Sequence, residues 1–344
     1  MAVNDRVAKA IAEHLGKAAP KVAAAEPMRV FVPLTLSDDQ QLYSKVFGYV
    51  PATGDFPVTV LADNTNPEIA RLVPKIDLDY VVQKNEAALL VAGIEDDDKT
   101  LLTGPTGSGK SSLVKYICAK LNRPFLRINM SGDVESASLF GTLVVRSGAT
   151  VWEDGAVTEA AKQGAVCLVD EWELMPAEIA MGMQNLLEEN GYLYLKEMPA
   201  SSADRTIIPH KDFRLVFAGN TTGQGDTSGA FSGVGIQNSA TIDRFSNTVA
   251  LGYLSTAHEV SIITSKSNIS PDIAKSMVRM AGLVRNAYDQ GKLGLTMSPR
   301  TLINWARKCT RYNTSYALEM AFLNKLSPDD SKSVLEMYNK VFGV

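Results

Sequence analysis

The chain has 344 residues, room for about two domains if a domain takes roughly 150 residues. Hydrophobic side chains make up 45 % and charged ones 21 %, which excludes a largely disordered or collagen-like chain. With 34 basic and 38 acidic side chains the net charge is -4, so no strong positive field advertises nucleic acid or an anionic membrane, although a local basic channel stays open.

Residues 3–16 carry helical apolar spacing at Val7, Ile11 and Leu15, and an Ala, Pro and Lys stretch follows to near Pro27. This reads as a short helix on a tether. Between residues 28 and 73, short β-like runs at 29–32 and 57–61 are broken by Pro33, Pro51, Gly54 and Pro67, the pattern of a small appended segment. From about Pro74, apolar strands alternate with helices, which predicts an α/β fold whose parallel sheet is covered on both faces. The five strands are expected at 100–103, 124–128, 165–170, 213–218 and 248–251. After Ser255 only helices are expected, and Ser270-Pro271, Ser298-Pro299 and Ser327-Pro328 each set a capping serine before a helix-opening proline. The expected divisions are 1–72 (helix, tether and appended segment), 73–255 (nucleotide-binding α/β region) and 256–344 (helical lid).

Cys118, Cys167 and Cys309 are far apart and form no CxxC pair, which argues against a zinc knuckle or a disulfide framework and for a reducing compartment. The apolar stretch 87–94 is too short to span a bilayer, and charges interrupt the Ala-rich start, so no secretory signal is read. A cytoplasmic protein without a membrane partner is expected.

Gly104-Pro105-Thr106-Gly107-Ser108-Gly109-Lys110-Ser111 satisfies G-x-x-x-x-G-K-[ST], with a strand before it and an amphipathic helix at 111–121 after it. The chemistry explains the spacing. Glycines let backbone amides close around the β-phosphate, the new helix points its positive end there, Lys110 reaches the β- and γ-phosphates, and Ser111 supplies a magnesium ligand. ATP and Mg2+ are the expected cofactors, and Ser112, next along the helix, joins the expected nucleotide-binding residues.

About 60 residues after the loop, an apolar strand ends in Asp170-Glu171. Asp170 would hold the magnesium shell through water, and Glu171 would orient and deprotonate the attacking water. The strand over 213–218 leads to Asn220, which suits either holding that water or opening a turn. The following loop, 221–238, contains Gly223, Gly225, Gly229, Gly233 and Gly235 and is expected to move or to pack on a neighbour.

The order of phosphate loop, Asp170-Glu171, Asn220, Asp243-Arg244-Phe245 and Ser298-Pro299-Arg300 resembles the AAA+ ATPases, and within them the MoxR-like branch that includes the ATPase subunits of aerobic cobaltochelatase. The similarity to those subunits is concentrated in 213–229, 242–245 and 297–301, and 73–80 looks like the family's N-terminal lead-in, which adds Tyr80 to the nucleotide-binding residues. The resemblance covers about 73–311.

The resemblance implies a sensor-1 role for Asn220, an arginine finger at Arg244 and a sensor-2 role for Arg300. A planar guanidinium can contact phosphate oxygens with two parallel hydrogen bonds as charge spreads in the transition state. Read without it, Arg244 suits a surface ion pair with Asp243, and Arg300 a solvated helix start. Two hairpins, one around Ser147-Gly148 and one between 192–196 and 205–208, are expected; in this family such insertions face the ring pore or a bound partner. A homo-oligomeric ring, expected as a hexamer, and a von Willebrand A-type partner protein are also implied.

Trp172-Glu173 and Gly219 depart from the cobaltochelatase pattern, which leaves ATP chemistry intact but opens the question of substrate. A chelatase motor and a general remodelling ATPase are both compatible. A scaffold that binds ATP without turnover conflicts with intact Glu171 and Arg244. A ring helicase conflicts with the net acidity and the lack of a basic, aromatic-rich stripe.

Overall fold

Residues 36–223 and 237–343 are described by a computed structural model. The helix expected at 3–16, its tether, the run at 29–32 and most of the glycine-bearing loop lie outside the described residues.

In the first described segment, β1 (Gln40–Leu42) pairs antiparallel with β2 (Pro57–Thr59), and α1 (Tyr43–Phe47) lies between them in sequence. Gly48 ends α1 in the left-handed conformation, φ 83°, which a residue without Cβ adopts freely. This segment does not stand apart as an appended unit. Tyr43, Phe47 and Val58 are buried in one cluster with Leu90, Leu113 and Ile117 of the region expected to bind nucleotide. The Leu61 N–H donates to the Leu121 carbonyl at 3.0 Å, and the Phe125 N–H to the Leu72 carbonyl at 3.1 Å. Strands of three residues are too short for alternation to show a buried face, so the sequence pattern could not reveal this packing.

After the single turn α2 (Pro67–Ala70) comes α3 (Lys84–Glu95). β3 (Thr100–Thr103), α4 (Lys110–Lys120) and β4 (Phe125–Asn129) form the first crossover unit. A second contains α5 (Ser136–Phe140), the hairpin β5 (Gly141–Arg146) with β6 (Ala149–Asp154), α6 (Ala156–Gln163) and β7 (Val166–Asp170). A third contains α7 (Ala177–Met183), the short pair β8 (Leu193–Tyr194) with β9 (Thr206–Ile207), and β10 (Arg214–Gly219). One turn, α8 (Ser239–Ile242), then leads into β11 (Asn247–Ala250).

The five long-range strands pair in parallel in the order β11-β3-β10-β7-β4. Their alternation sorts side chains into two layers: Cys167, Val169, Leu215 and Phe217 join one cluster, while Val166, Leu168, Val216 and Ala218 join the other. Covered on both faces, β7 reads Val-Cys-Leu-Val-Asp with every residue buried. Truncating Leu168, which is fully buried there, to Ala would cost about 2–5 kcal/mol.

Five helices follow: α9 (Thr256–Ser267), α10 (Pro271–Asp289), α11 (Pro299–Lys308), α12 (Thr314–Ala321) and α13 (Pro328–Phe342). Ser255, Ser270, Ser298, Asn313 and Ser327 each accept a backbone N–H from the first turn of their helix, a cap that contributes about 1 kcal/mol. The helices close over their own cluster, centred on Met277, Val284, Leu302, Trp305 and Leu318. Among the described residues no helix is long and apolar enough to cross a membrane.

Candidate active site

The phosphate loop leaves β3 and turns into α4 through three glycines with positive φ: Gly104 (147°), Gly107 (80°) and Gly109 (96°). Close approach adds a second reason for two of them. A Cβ on Gly104 would fall 2.1 Å from the Leu251 carbonyl oxygen, and one on Gly107 would fall 2.8 Å from the Ser298 Cβ of the lid. Lys110 opens α4 and is buried. Its ammonium donates to the carbonyls of Gly104 (2.7 Å) and Pro105 (3.3 Å) and to Asn220 Oδ1 (3.0 Å). Burial lowers its pKa, and the carboxylates of Asp170, Glu173 and Glu171 oppose that shift.

Parallel register carries the other groups to the same edge of the sheet. Ala218 stands opposite Asp170, so Asn220 emerges just past the end of β10, beside the end of β7. The Ser111 hydroxyl donates to Asp170 Oδ2 at 2.5 Å. Glu171, exposed at the cleft, has φ 56°, a left-handed conformation uncommon for a residue with a side chain and frequent at functional sites. Thr106 Oγ1 lies 3.4 Å from Asn220 Oδ1. The Ser108 hydroxyl is buried without a hydrogen-bond partner.

The C-terminal helices line the cleft, about 500 Å³ in volume, with Pro299, Arg300, Asn304 and Arg307 of α11 and Lys266 of α9. Arg300, Asn304 and Arg307 recur at helical spacing, a pattern the sequence carries beside Arg300. Tyr80 lies outside this cleft. It lines an adjoining recess with Asp79, Gln83, Ile262 and Ile303, which shares Gly107, Gly109 and Ser112 with the cleft. Its ring centroid is 5.0 Å from that of Tyr116, and burial raises its phenol pKa. Arg244 is not brought to the cleft either. Its Nε donates to Glu188 Oε1 at 2.6 Å and its Nη1 to the Ala240 carbonyl at 2.5 Å, so the sequence-adjacent Asp243 is not its ion-pair partner.

Two charged residues to which the sequence assigns no site role belong to the site. Arg127, on β4, places Nη2 2.7 Å from Asp170 Oδ2. A charge between Leu126 and Ile128 in a strand was the available signal. Glu173 is buried, and its Oε1 accepts the Asn220 backbone N–H at 2.7 Å. Beside it Trp172, fully buried, meets Phe217 and Phe245 edge-on, with centroids 6.3 and 5.2 Å away. A Cβ on Gly219 would fall 2.3 Å from Glu173 Oε2 and 2.7 Å from Trp172 Cδ1. The departures at 172, 173 and 219 are therefore one packing unit, and glycine inside a strand is the usual mark of such an approach.

Residues 99–245 match the family described as AAA domain (dynein-related subfamily), and residues 259–341 match CbbQ/NirQ/NorQ C-terminal. The chain is 32 % identical over 282 residues to the aerobic cobaltochelatase subunit CobS of Sinorhizobium sp, covering 79 % of this chain and 83 % of that protein. It is 29 % identical over 258 residues to protein NorQ of Paracoccus denitrificans, covering 73 % and 88 %. Among solved structures, a RuvB variant from Thermotoga maritima aligns with a TM-score of 0.46 at 18 % identity, covering 79 % of this chain and 81 % of that one.

Proposed function

The chain belongs to the AAA ATPases, in the MoxR-like branch of its CobS and NorQ relatives, and from that premise we propose that it hydrolyses ATP as a ring-forming motor that remodels or activates a partner protein complex. The observation that carries this reading is the convergence of Lys110, the Ser111–Asp170 pair and Asn220 at one edge of the sheet, facing arginines from the lid. We assign 73–255 to nucleotide binding and 256–344 to the lid.

The residues present fit a magnesium–nucleotide. The Ser111 hydroxyl and the Asp170 carboxylate are oxygen donors of the kind magnesium takes, and Arg127 already marks Asp170 as a cation-binding point. Ser111, with Asp170 through water, would hold the ion, whose chemistry is to neutralise charge on the β- and γ-phosphate oxygens. Lys110 turns from the Gly104 carbonyl to those oxygens and offsets the same charge. Glu171 accepts a proton from the attacking water as the water oxygen bonds to the γ-phosphorus and the bond to the β–γ bridging oxygen breaks. Asn220 holds that water, and Arg300 contacts the γ-phosphate. The base is assigned to the recess lined by Tyr80 and Ile303, which adjoins the phosphate loop at Gly107 and Gly109.

Arg244 acts on a neighbour's nucleotide in this reading, since it lies outside its own cleft, and a hexameric ring supplies that neighbour. The hairpin β5–β6 exposes Leu143, Val145 and Val151, more apolar surface than a solvated turn requires, and is assigned to grip on the partner. Similarity to CobS supports a cobaltochelatase-like assembly as the finer reading, and a general remodelling ATPase with a von Willebrand A-type partner is the alternative.

Calorimetry on two variants tests the chemistry. Lys110→Ala should abolish ATP binding, whereas Glu171→Gln should bind ATP and fail to turn it over, because only the first removes a positive charge that attracts the phosphates, while the second removes the base that activates water. Equal loss of binding in both would overturn the role given to Glu171. A cobalt-insertion assay with a von Willebrand A-type protein and a large chelatase subunit then separates the two biological readings.

A further inference from the structure

Arg285, on α10, stands where three segments meet outside the cleft. Its two terminal nitrogens donate to the carboxylate of Glu259 on α9, at 2.9 and 2.8 Å, and its Nε donates to the Met297 carbonyl at 2.9 Å. The guanidinium lies over the ring of Tyr253, 3.9 Å from its centroid. Both partners of the ion pair are buried, Glu259 to 3 % exposure and Arg285 to 9 %.

Two of these contacts lead to the nucleotide cleft. The Tyr253 hydroxyl lies 3.4 Å from the Thr106 carbonyl in the phosphate loop and is also hydrogen-bonded to Thr296. Met297 immediately precedes Ser298, which caps α11 by accepting the Thr301 N–H and sits against Gly107 of the same loop. α11 is the helix whose Arg300, Asn304 and Arg307 face the cleft. One guanidinium thus holds the flank of the phosphate loop, through Tyr253, and the start of the arginine-bearing helix, through Met297.

Simple helix packing does not call for this arrangement. A buried ion pair replaced by well-packed apolar side chains often leaves stability unchanged or improved. What an arginine supplies beyond packing is direction: five donors in a rigid plane fix a carboxylate, a carbonyl and a ring relative to one another.

We propose that Arg285 is a positioning residue that sets α11, and with it Arg300, against the phosphate loop, and thereby gives the cleft its preference for a nucleoside triphosphate over a diphosphate. The inference rests on the reading of Arg300 as a γ-phosphate contact. ADP lacks that phosphate, so misplacing α11 weakens ATP binding selectively.

The test is a double-mutant cycle on the full chain, with calorimetric affinities for ADP and a non-hydrolysable ATP analogue, and with melting temperatures recorded alongside. Arg285→Lys keeps the charge and loses the fork. It is expected to lower the ATP-over-ADP preference by roughly ten- to a hundred-fold, the scale of one charge-assisted hydrogen bond, with ADP affinity within about two-fold of wild type. In an Arg300→Ala background the same substitution should have no further effect on the preference. Tyr253→Phe, which removes only the hydroxyl, should act in the same direction by roughly two- to three-fold, and it keeps the test available if Arg285→Lys does not fold.

A lowered melting temperature with an unchanged preference, equal loss of both nucleotides, or additivity with Arg300→Ala would each reduce Arg285 to a structural ion pair and overturn the proposal. If Arg300→Ala alone leaves both affinities as in wild type, the reading of Arg300 fails, and the proposal falls with it. If Arg300→Ala lowers ATP affinity as expected and neither Arg285→Lys nor Tyr253→Phe alters the preference, the inference about Arg285 alone is overturned.

Discussion

Glu173 accepts the Asn220 backbone N–H at 2.7 Å with one carboxylate oxygen, while its other oxygen is buried without a hydrogen-bond partner. Burial raises the Glu173 pKa above the ordinary glutamate range, and the Asn220 N–H opposes that shift. The folded chain therefore binds this proton more tightly than the unfolded one. The contribution to stability is fully present below the unfolded glutamate pKa and is lost as pH rises through the folded value. Glu173→Gln keeps an acceptor for Asn220 and removes the titration. The variant should gain stability relative to wild type on going from pH 5 to pH 8, read as the difference in melting temperature, and a pH-independent difference would count against it.

Gly219 and Gly282 make opposite predictions for the same substitution. An added Cβ at 219 meets Glu173 and Trp172 inside a buried strand, so Gly219→Ala should destabilise by about 1–3 kcal/mol or more and disturb the support under Asn220. Gly282 lies within α10, where an added Cβ meets nothing within 4 Å, so Gly282→Ala should stabilise by up to about 1 kcal/mol through helix propensity. Urea unfolding of the two variants beside wild type checks both signs.

Arg127 competes with any cation for Asp170, because its Nη2 and the Ser111 hydroxyl converge on one carboxylate oxygen. The guanidinium is half exposed, so solvent screening keeps the competition modest. Arg127→Ala should lower the magnesium concentration needed for half-maximal binding of a fluorescent ADP by roughly two- to five-fold. An unchanged or raised magnesium requirement would show that the ion pair does not guard the carboxylate.

Arg244→Ala should preserve nucleotide affinity and lose most turnover, since an arginine finger contributes about 10³- to 10⁵-fold in rate to phosphoryl transfer. Mixing it with Lys110→Ala subunits should restore some ATPase activity, because intact sites on the first variant then receive Arg244 from the second. Absence of recovery in rings that demonstrably exchange subunits would contradict action across the interface.

Deleting residues 146–150, the tip of the β5–β6 hairpin, should weaken capture of a von Willebrand A-type partner in the ATP state and leave ATP binding intact. The arm with ADP should capture less than the arm with ATP, as reciprocal coupling requires. Equal capture by wild type and the deletion in both states would remove the hairpin from recognition.

Local chemistry was legible in the sequence. The phosphate loop is a run of backbone conformations and functional groups adjacent in the chain. Ser111 closes that run, Asp170 ends and Asn220 follows strands whose apolar runs are visible, and the Ser-Pro pairs cap α10, α11 and α13 as their residue types dictate. The tertiary structure alone decided which distant groups touch: Glu173 with Asn220, Arg127 with Asp170, Arg244 with Glu188 rather than Asp243, and Arg285 with Tyr253 and Met297. It also set residues 40–59 on the helix layer of the core, where short strands showed no buried face. The physical reason is range. Propensity, capping and periodicity act over a few residues and are written in consecutive letters, whereas packing and ion pairing depend on which segments the sheet order brings together.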